Sequence, residues 1–213
     1  PFVLLRIVAY PIIQRDLKTV IMEDLEITGH KQAELVSSWM RERMKDTLVV
    51  ANNPYMAKSV EVTQKNKEYQ GFLRYLEMVA AEYGYMGAFV SNEEGVITVS
   101  TFEKIVGNNI SKTDYFRNAI KGKTFTTGVV PSETPLLNEY GELEVDLPTM
   151  LVAAPLKDSD ENIIGVVALR IHLGILSNLM LSNKFGKTGE TYLVNKDGFM
   201  LTESRFSKHL KKF

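Results

Sequence analysis

Between residues 14 and 52 the apolar positions recur every three to four residues. Leu17, Ile21 and Leu25 step by four, as do Val36, Met40, Met44 and Leu48, with Trp39 beside them and lysines, arginines and glutamates on the other face. That period predicts one long helix over 14–52. Gly29 interrupts the stripe without breaking it, and Asn52-Asn53-Pro54 ends it, because the residue before proline avoids helical backbone angles. A helix of about 39 residues spans roughly 58 Å at 1.5 Å per residue. That exceeds what a compact domain needs, so the segment reads as a stalk, a dimerisation seam, or a long helix packed on its own domain.

Shorter helical patterns follow at 54–63 and 67–83, the second with Phe72, Leu73, Leu76, Val79 and Ala80 as its apolar stripe and Gly84 as its stop. The pattern then changes to β type. A hairpin is predicted over Met86–Thr101, with Ala88-Phe89-Val90 entering the turn Ser91–Gly95 and Val96–Val99 leaving it. A short helix at 113–121, a strand at 124–131, a polar loop at 132–146, and strands at 149–156 and 163–171 around an acidic turn come next. A connecting helix is predicted over 173–184. Hairpin-type connections dominate, so the sheet is expected to be antiparallel and the fold class α+β.

The hairpin pattern returns near the end of the chain. Tyr192-Leu193-Val194, Asn195–Gly198 and Phe199–Thr202 repeat the order strand, turn, strand, roughly 100 residues after the first copy. The expected organisation is one whole module and the start of a second: a long helix at 14–52, a module at 53–175, and a linker helix with an incomplete module at 176–213. Residues 1–13 are almost wholly apolar, broken by Arg6 and Tyr10. The run is shorter than the roughly 20 residues a bilayer requires. It reads as the trailing end of a transmembrane helix, with a buried helix start as the alternative.

Composition narrows the chemistry. The net charge is −1 and no basic surplus points to nucleic acid. There are no cysteines, which excludes thiolate chemistry and disulfides. His30, His172 and His209 are far apart and in no metal-ligand spacing, so no metal is expected. Gly186-Lys187-Thr188 resembles the end of a phosphate loop, but Leu181 stands where that loop needs glycine and β-rich sequence follows. Asp158, Asp160 and Glu161 read as a solvated hairpin tip, because a calcium loop's glycine and distal glutamate are missing. No nucleophile elbow or His-Glu-x-x-His motif occurs, and neither catalysis nor a cofactor is expected.

Four segments, in order, carry a family likeness. They are the hairpin around Gly95, Ile110–Ala119 with Gly122, Ala153–Asp158, and Ile164–Ile171; Gly186–Val194 follows them. Together they resemble a double Cache domain, the PAS-like extracytoplasmic sensor of bacterial histidine kinases, chemoreceptors and diguanylate cyclases. Gly84–Leu176 matches its membrane-distal half. The resemblance implies a non-catalytic sensor module in the periplasm, anchored in the bacterial inner membrane. A small molecule would bind in the distal module and the signal would pass along helices, with the long helix pairing two copies. The alternative is a structural or dimerisation module with a vestigial pocket that answers to a partner protein.

The amino-acid-binding branch of that family grips the ligand carboxylate with an arginine two residues before an aromatic pair, and the ligand amine with an aspartate on the last strand. Here the aromatic pair is Tyr115-Phe116, while the arginine position is Thr113 and the aspartate position is Arg170. Plain core packing explains the aromatic pair equally well. A charge at Arg170, inside an apolar strand, needs a partner, such as Glu133 or a ligand anion. His172, two residues on, falls on the same face. The expected ligand is therefore a small carboxylate or other anion, with Thr113, Tyr115, Phe116, Glu133, Arg170 and His172 as candidate contacts.

Overall fold

The computed structural model describes residues 9–132, 135–137, 142–182, 189–198, 200–202 and 204. Helix α1 (Tyr10–Ala51) is the long helix, starting four residues earlier than the periodicity indicates, with Pro11 in its first turn. Its two halves differ. In the C-terminal half Val36, Trp39, Met40, Met44 and Leu48 pack on the core and Val50 and Ala51 are buried. In the N-terminal half Ile13, Leu17, Val20, Ile21, Met22 and Leu25 stay exposed. No helix among the described residues is long and apolar enough to cross a membrane. Residues 1–8, most of the run read as a transmembrane remnant, lie outside the described residues.

The helix expected at 54–63 is a shorter 3₁₀ helix, Pro54–Val60, capped by Asn53, whose side chain accepts from the Tyr55 N–H at 3.0 Å. A Thr63–Asn66 turn, in which the Asn66 side-chain Oδ1 accepts from both the N–H and the hydroxyl of Thr63, follows it. Helix α2 (Tyr69–Tyr83) buries Phe72, Leu76, Val79 and Ala80 and stops at Gly84, whose φ of +70° suits a residue without Cβ.

The strands are β1 (Tyr85–Asn92), β2 (Ile97–Ser100), β3 (Phe125–Thr126), β4 (Val130–Pro131), β5 (Leu136–Leu137), β6 (Leu143–Glu144), β7 (Pro148–Lys157) and β8 (Ile163–Ile171), with helix α3 (Asp114–Ala119) between β2 and β3 and α4 (Leu173–Ser182) after β8. The main sheet runs β2-β1-β8-β7-β3, with β4 also on β7, and every pairing is antiparallel. The tips lie where expected: Gly95 has φ +82° and Glu161 has φ +66°. Asp158 closes the second tip by accepting from the N–H groups of Asp160 and Asn162, each at 2.9 Å.

The strand expected at 124–131 is broken into β3 and β4. Thr127 bridges the gap: its hydroxyl accepts from the Leu151 N–H and its own N–H donates to the Leu151 carbonyl, both at 2.9 Å. The loop at 132–146 contains a small antiparallel pair, β5 with β6. Near the chain end, a single Val194–Met200 bridge forms at the second hairpin among the described residues, with Gly198 at φ +84°.

Alternation along the strands feeds two cores. Ala88, Val90, Val152, Ala154, Val167 and Leu169 face α1 and α2. Phe89, Leu151, Ala153, Val166 and Ala168 face the opposite way, onto Ile105, Ile110, Tyr115, Phe116 and Ala119. Central strands β7 and β8 are therefore buried on both sides, which explains their continuous apolar sequence.

Candidate ligand-binding site

The site lies on the second face of the sheet, between it and α3. Thr113 starts that helix: its hydroxyl donates to the Ile110 carbonyl at 2.8 Å and accepts from the Phe116 N–H at 3.4 Å. This N-cap turns the chain so that Tyr115 and Phe116 point at the sheet. Tyr115 meets Phe89 edge-on, with ring centroids 6.3 Å apart.

Arg170 has the parity of Val166 and Ala168, so it projects onto the same face, at 8% exposure. Its neighbour across the ladder on β7 is Leu151 and on β1 is Gly87. Its guanidinium donates to the Thr149 hydroxyl at 3.3 Å. An arginine keeps its charge under all accessible conditions, so a fixed cation stands on the floor of this face.

A cavity of about 440 Å³ opens between α3, the β3–β4 segment and the sheet, lined by Thr113, Tyr115, Thr127, Thr149, Leu151 and Arg170; the charged residues Lys112 and Asp114 also contribute. A second chamber of about 570 Å³ lies on the other side of Arg170, towards β2 and the β5–β6 pair, and includes His172. A third space of about 230 Å³, under Phe89 and Tyr115, also reaches Arg170. One buried guanidinium thus lines three hollows. The lining offers hydroxyl donors, an aromatic wall and positive charge, a set suited to holding an anion.

Thr113, Tyr115 and Arg170 are brought together in the first cavity. Phe116 is buried in the core behind Tyr115 and is not among the lining residues. His172 follows the end of β8 and is exposed; it shares the second chamber with Arg170, and its Nδ1 accepts from the Gly174 N–H at 3.0 Å. Neutral His172 in this arrangement carries its proton on Nε2. Glu133 lies outside the described residues. Sequence reasoning passed over Lys112, Thr127, Thr149 and Leu151 as lining residues. Parity placed Leu151 and Thr149 on the face of Arg170 only once the β7–β8 register was known.

The family described as Cache domain matches residues 13–212. Among solved structures, the sensor domain of the V. cholerae histidine kinase DctB is 16% identical with a TM-score of 0.55, the match covering 76% of this chain and 61% of that one. The sensory domain of the Campylobacter jejuni chemoreceptor Tlp3 with isoleucine bound is 16% identical with a TM-score of 0.59, covering 80% of this chain and 65% of that one. The E. coli DcuS sensor domain is 15% identical with a TM-score of 0.51, covering 67% of this chain and 94% of that one. The chain spans less than two thirds of the first two, and at these identities the likeness is one of fold. No curated protein matches the chain.

Proposed function

We propose that this chain, which belongs to the Cache domain family, is the extracytoplasmic small-molecule-sensing part of a membrane-bound bacterial signal-transduction receptor. In this reading residues 53–175 form the membrane-distal, ligand-binding module and residues 176–213 open a membrane-proximal one. The region itself is non-catalytic. It lies in the periplasm of a receptor held in the inner membrane and passes its signal along helices. The ligand is a small carboxylate or similar anion.

The observation that supports this is Arg170: a guanidinium 8% exposed, on the floor of a hydroxyl-lined cavity. The Tlp3 domain was solved with isoleucine. Here a cation replaces the acidic group expected for an amine, so a zwitterionic amino acid should bind weakly. A charge-assisted hydrogen bond contributes about 1.5–3 kcal/mol. Arg170→Ala should therefore weaken a bound carboxylate by roughly tenfold or more. Calorimetry with acetate, succinate and isoleucine against wild type and Arg170→Ala tests it. Tight isoleucine binding that survives the substitution would refute the anion reading.

A second reading, a dimerisation module, draws on the exposed apolar residues of α1 between Ile13 and Leu25. A second copy laid along this helix would cover them. A homodimer through α1 belongs to the proposal; a vestigial pocket that answers to a partner protein is the competing reading, which binding of no small molecule would favour.

A further inference from the structure

The second chamber differs from the first in what lines it. Met86, Phe89, Phe102, Ile105, Leu136 and Leu143 give it apolar walls, and among the described residues its charged or titratable lining is Arg170 and His172. Arg170 lines it, as it lines the first cavity. The residue paired with Arg170 on β1 is Gly87, and the register shifts between Tyr85 and Gly87. Directly cross-strand residues share a face. Gly87 itself puts no side chain beside the guanidinium, but the Thr101 hydroxyl lies 2.8 Å from where its Cβ would be and bounds that side, whereas Leu151 bounds the other.

Resting on the anion reading above, we infer that the ligand is an amphiphilic monocarboxylate: its carboxylate sits at Arg170 and its unbranched apolar tail lies in the second chamber, which Arg170 also lines. A chamber of about 570 Å³ accepts a medium-length chain with room to spare. A second carboxylate at the far end of the tail would be placed among Met86, Phe102, Leu136 and Leu143, where losing its hydration is unfavourable.

Calorimetry on the whole chain with acetate, butanoate, hexanoate and adipate tests this. Each buried methylene is worth about a fourfold gain in affinity. Met86 and Leu143 stay partly exposed, so hexanoate should bind at least about tenfold tighter than acetate and tighter than adipate. The double variant Leu136→Asn/Leu143→Asn should remove that gain while leaving acetate unchanged. Leu143 is exposed and Leu136 partly so, and an unchanged melting temperature without ligand would show that the variant folds. Arg170→Gln should weaken the whole series. Equal affinity for acetate and hexanoate, preference for adipate, or a hexanoate gain that survives the double variant would overturn the tail while leaving the Arg170 site intact. Binding of no carboxylate, or binding indifferent to Arg170→Gln, would bring down the anion site and the tail together.

Discussion

Tyr85 joins the long helix to the sheet. Its hydroxyl donates to the Asp46 carboxylate at 2.9 Å, and Arg43 holds the same carboxylate at 3.2 Å while lying 5.5 Å from the Trp39 and Tyr85 ring centres. A hydrogen bond to a charged acceptor contributes about 1.5–3 kcal/mol. After Tyr85→Phe, Asp46 keeps Arg43 and its side chain is 21% exposed, so water replaces part of the loss and about 1.5 kcal/mol is expected. Asp46→Ala strips the guanidinium of its carboxylate and should cost more, about 3 kcal/mol. Burial, reinforced by the Asp46 hydrogen bond and opposed by Arg43, pushes the Tyr85 phenol well above its ordinary range. The unfolded phenol ionises near pH 10 while the folded one keeps its proton, so this stability is present below pH 10 and lost as pH rises past it. At pH 11 wild type should have lost about 1.4 kcal/mol more than Tyr85→Phe, nearly cancelling its advantage at neutral pH. Urea unfolding at both pH values, followed by circular dichroism and by Trp39, the sole tryptophan, measures this. A Tyr85→Phe protein as stable as wild type at pH 7, or with the same alkaline slope, would show that this contact does not fasten the helix.

Two further substitutions test the local geometry. Thr113→Ala should cost about 0.5–1 kcal/mol, because its cap bond to Phe116 is long at 3.4 Å, and Thr113→Ser should recover most of it in a thermal melt. Gly165→Ala should destabilise by about 3 kcal/mol or more, since a Cβ there runs into the Ser91 carbonyl oxygen and meets Val60; a melting temperature like that of wild type would mean that the β1–β8 pair is looser than described.

Elements with a strong period or a definite punctuation were legible in the sequence. The long helix apart from its first turn, α2 with its Gly84 stop, and the tips at Gly95 and beside Asp160 fall where the pattern put them. Failures came where a side chain replaced a backbone bond. Thr127 satisfies Leu151 through its hydroxyl, so a run that reads as one strand becomes two short ones. Asn53 and Pro54 open a tight turn that continues as 3₁₀ rather than α helix.

The candidate site divides in the same way. Parity alone places Arg170 opposite the α1 layer, because Val167 and Leu169 must face the long helix and Arg170 then cannot. What parity cannot show is which neighbour stands beside it. That depends on the register of three strands, and the β1 register shifts next to Gly87. Moving that shift by one residue would bring Met86 or Ala88 opposite the arginine and drive a side chain against the Thr101 hydroxyl, which lies 2.8 Å from where a Gly87 Cβ would be. The buried cation is thus set by one residue of β8, while what stands beside it is set by an irregularity in β1. Only the paired structure shows the second.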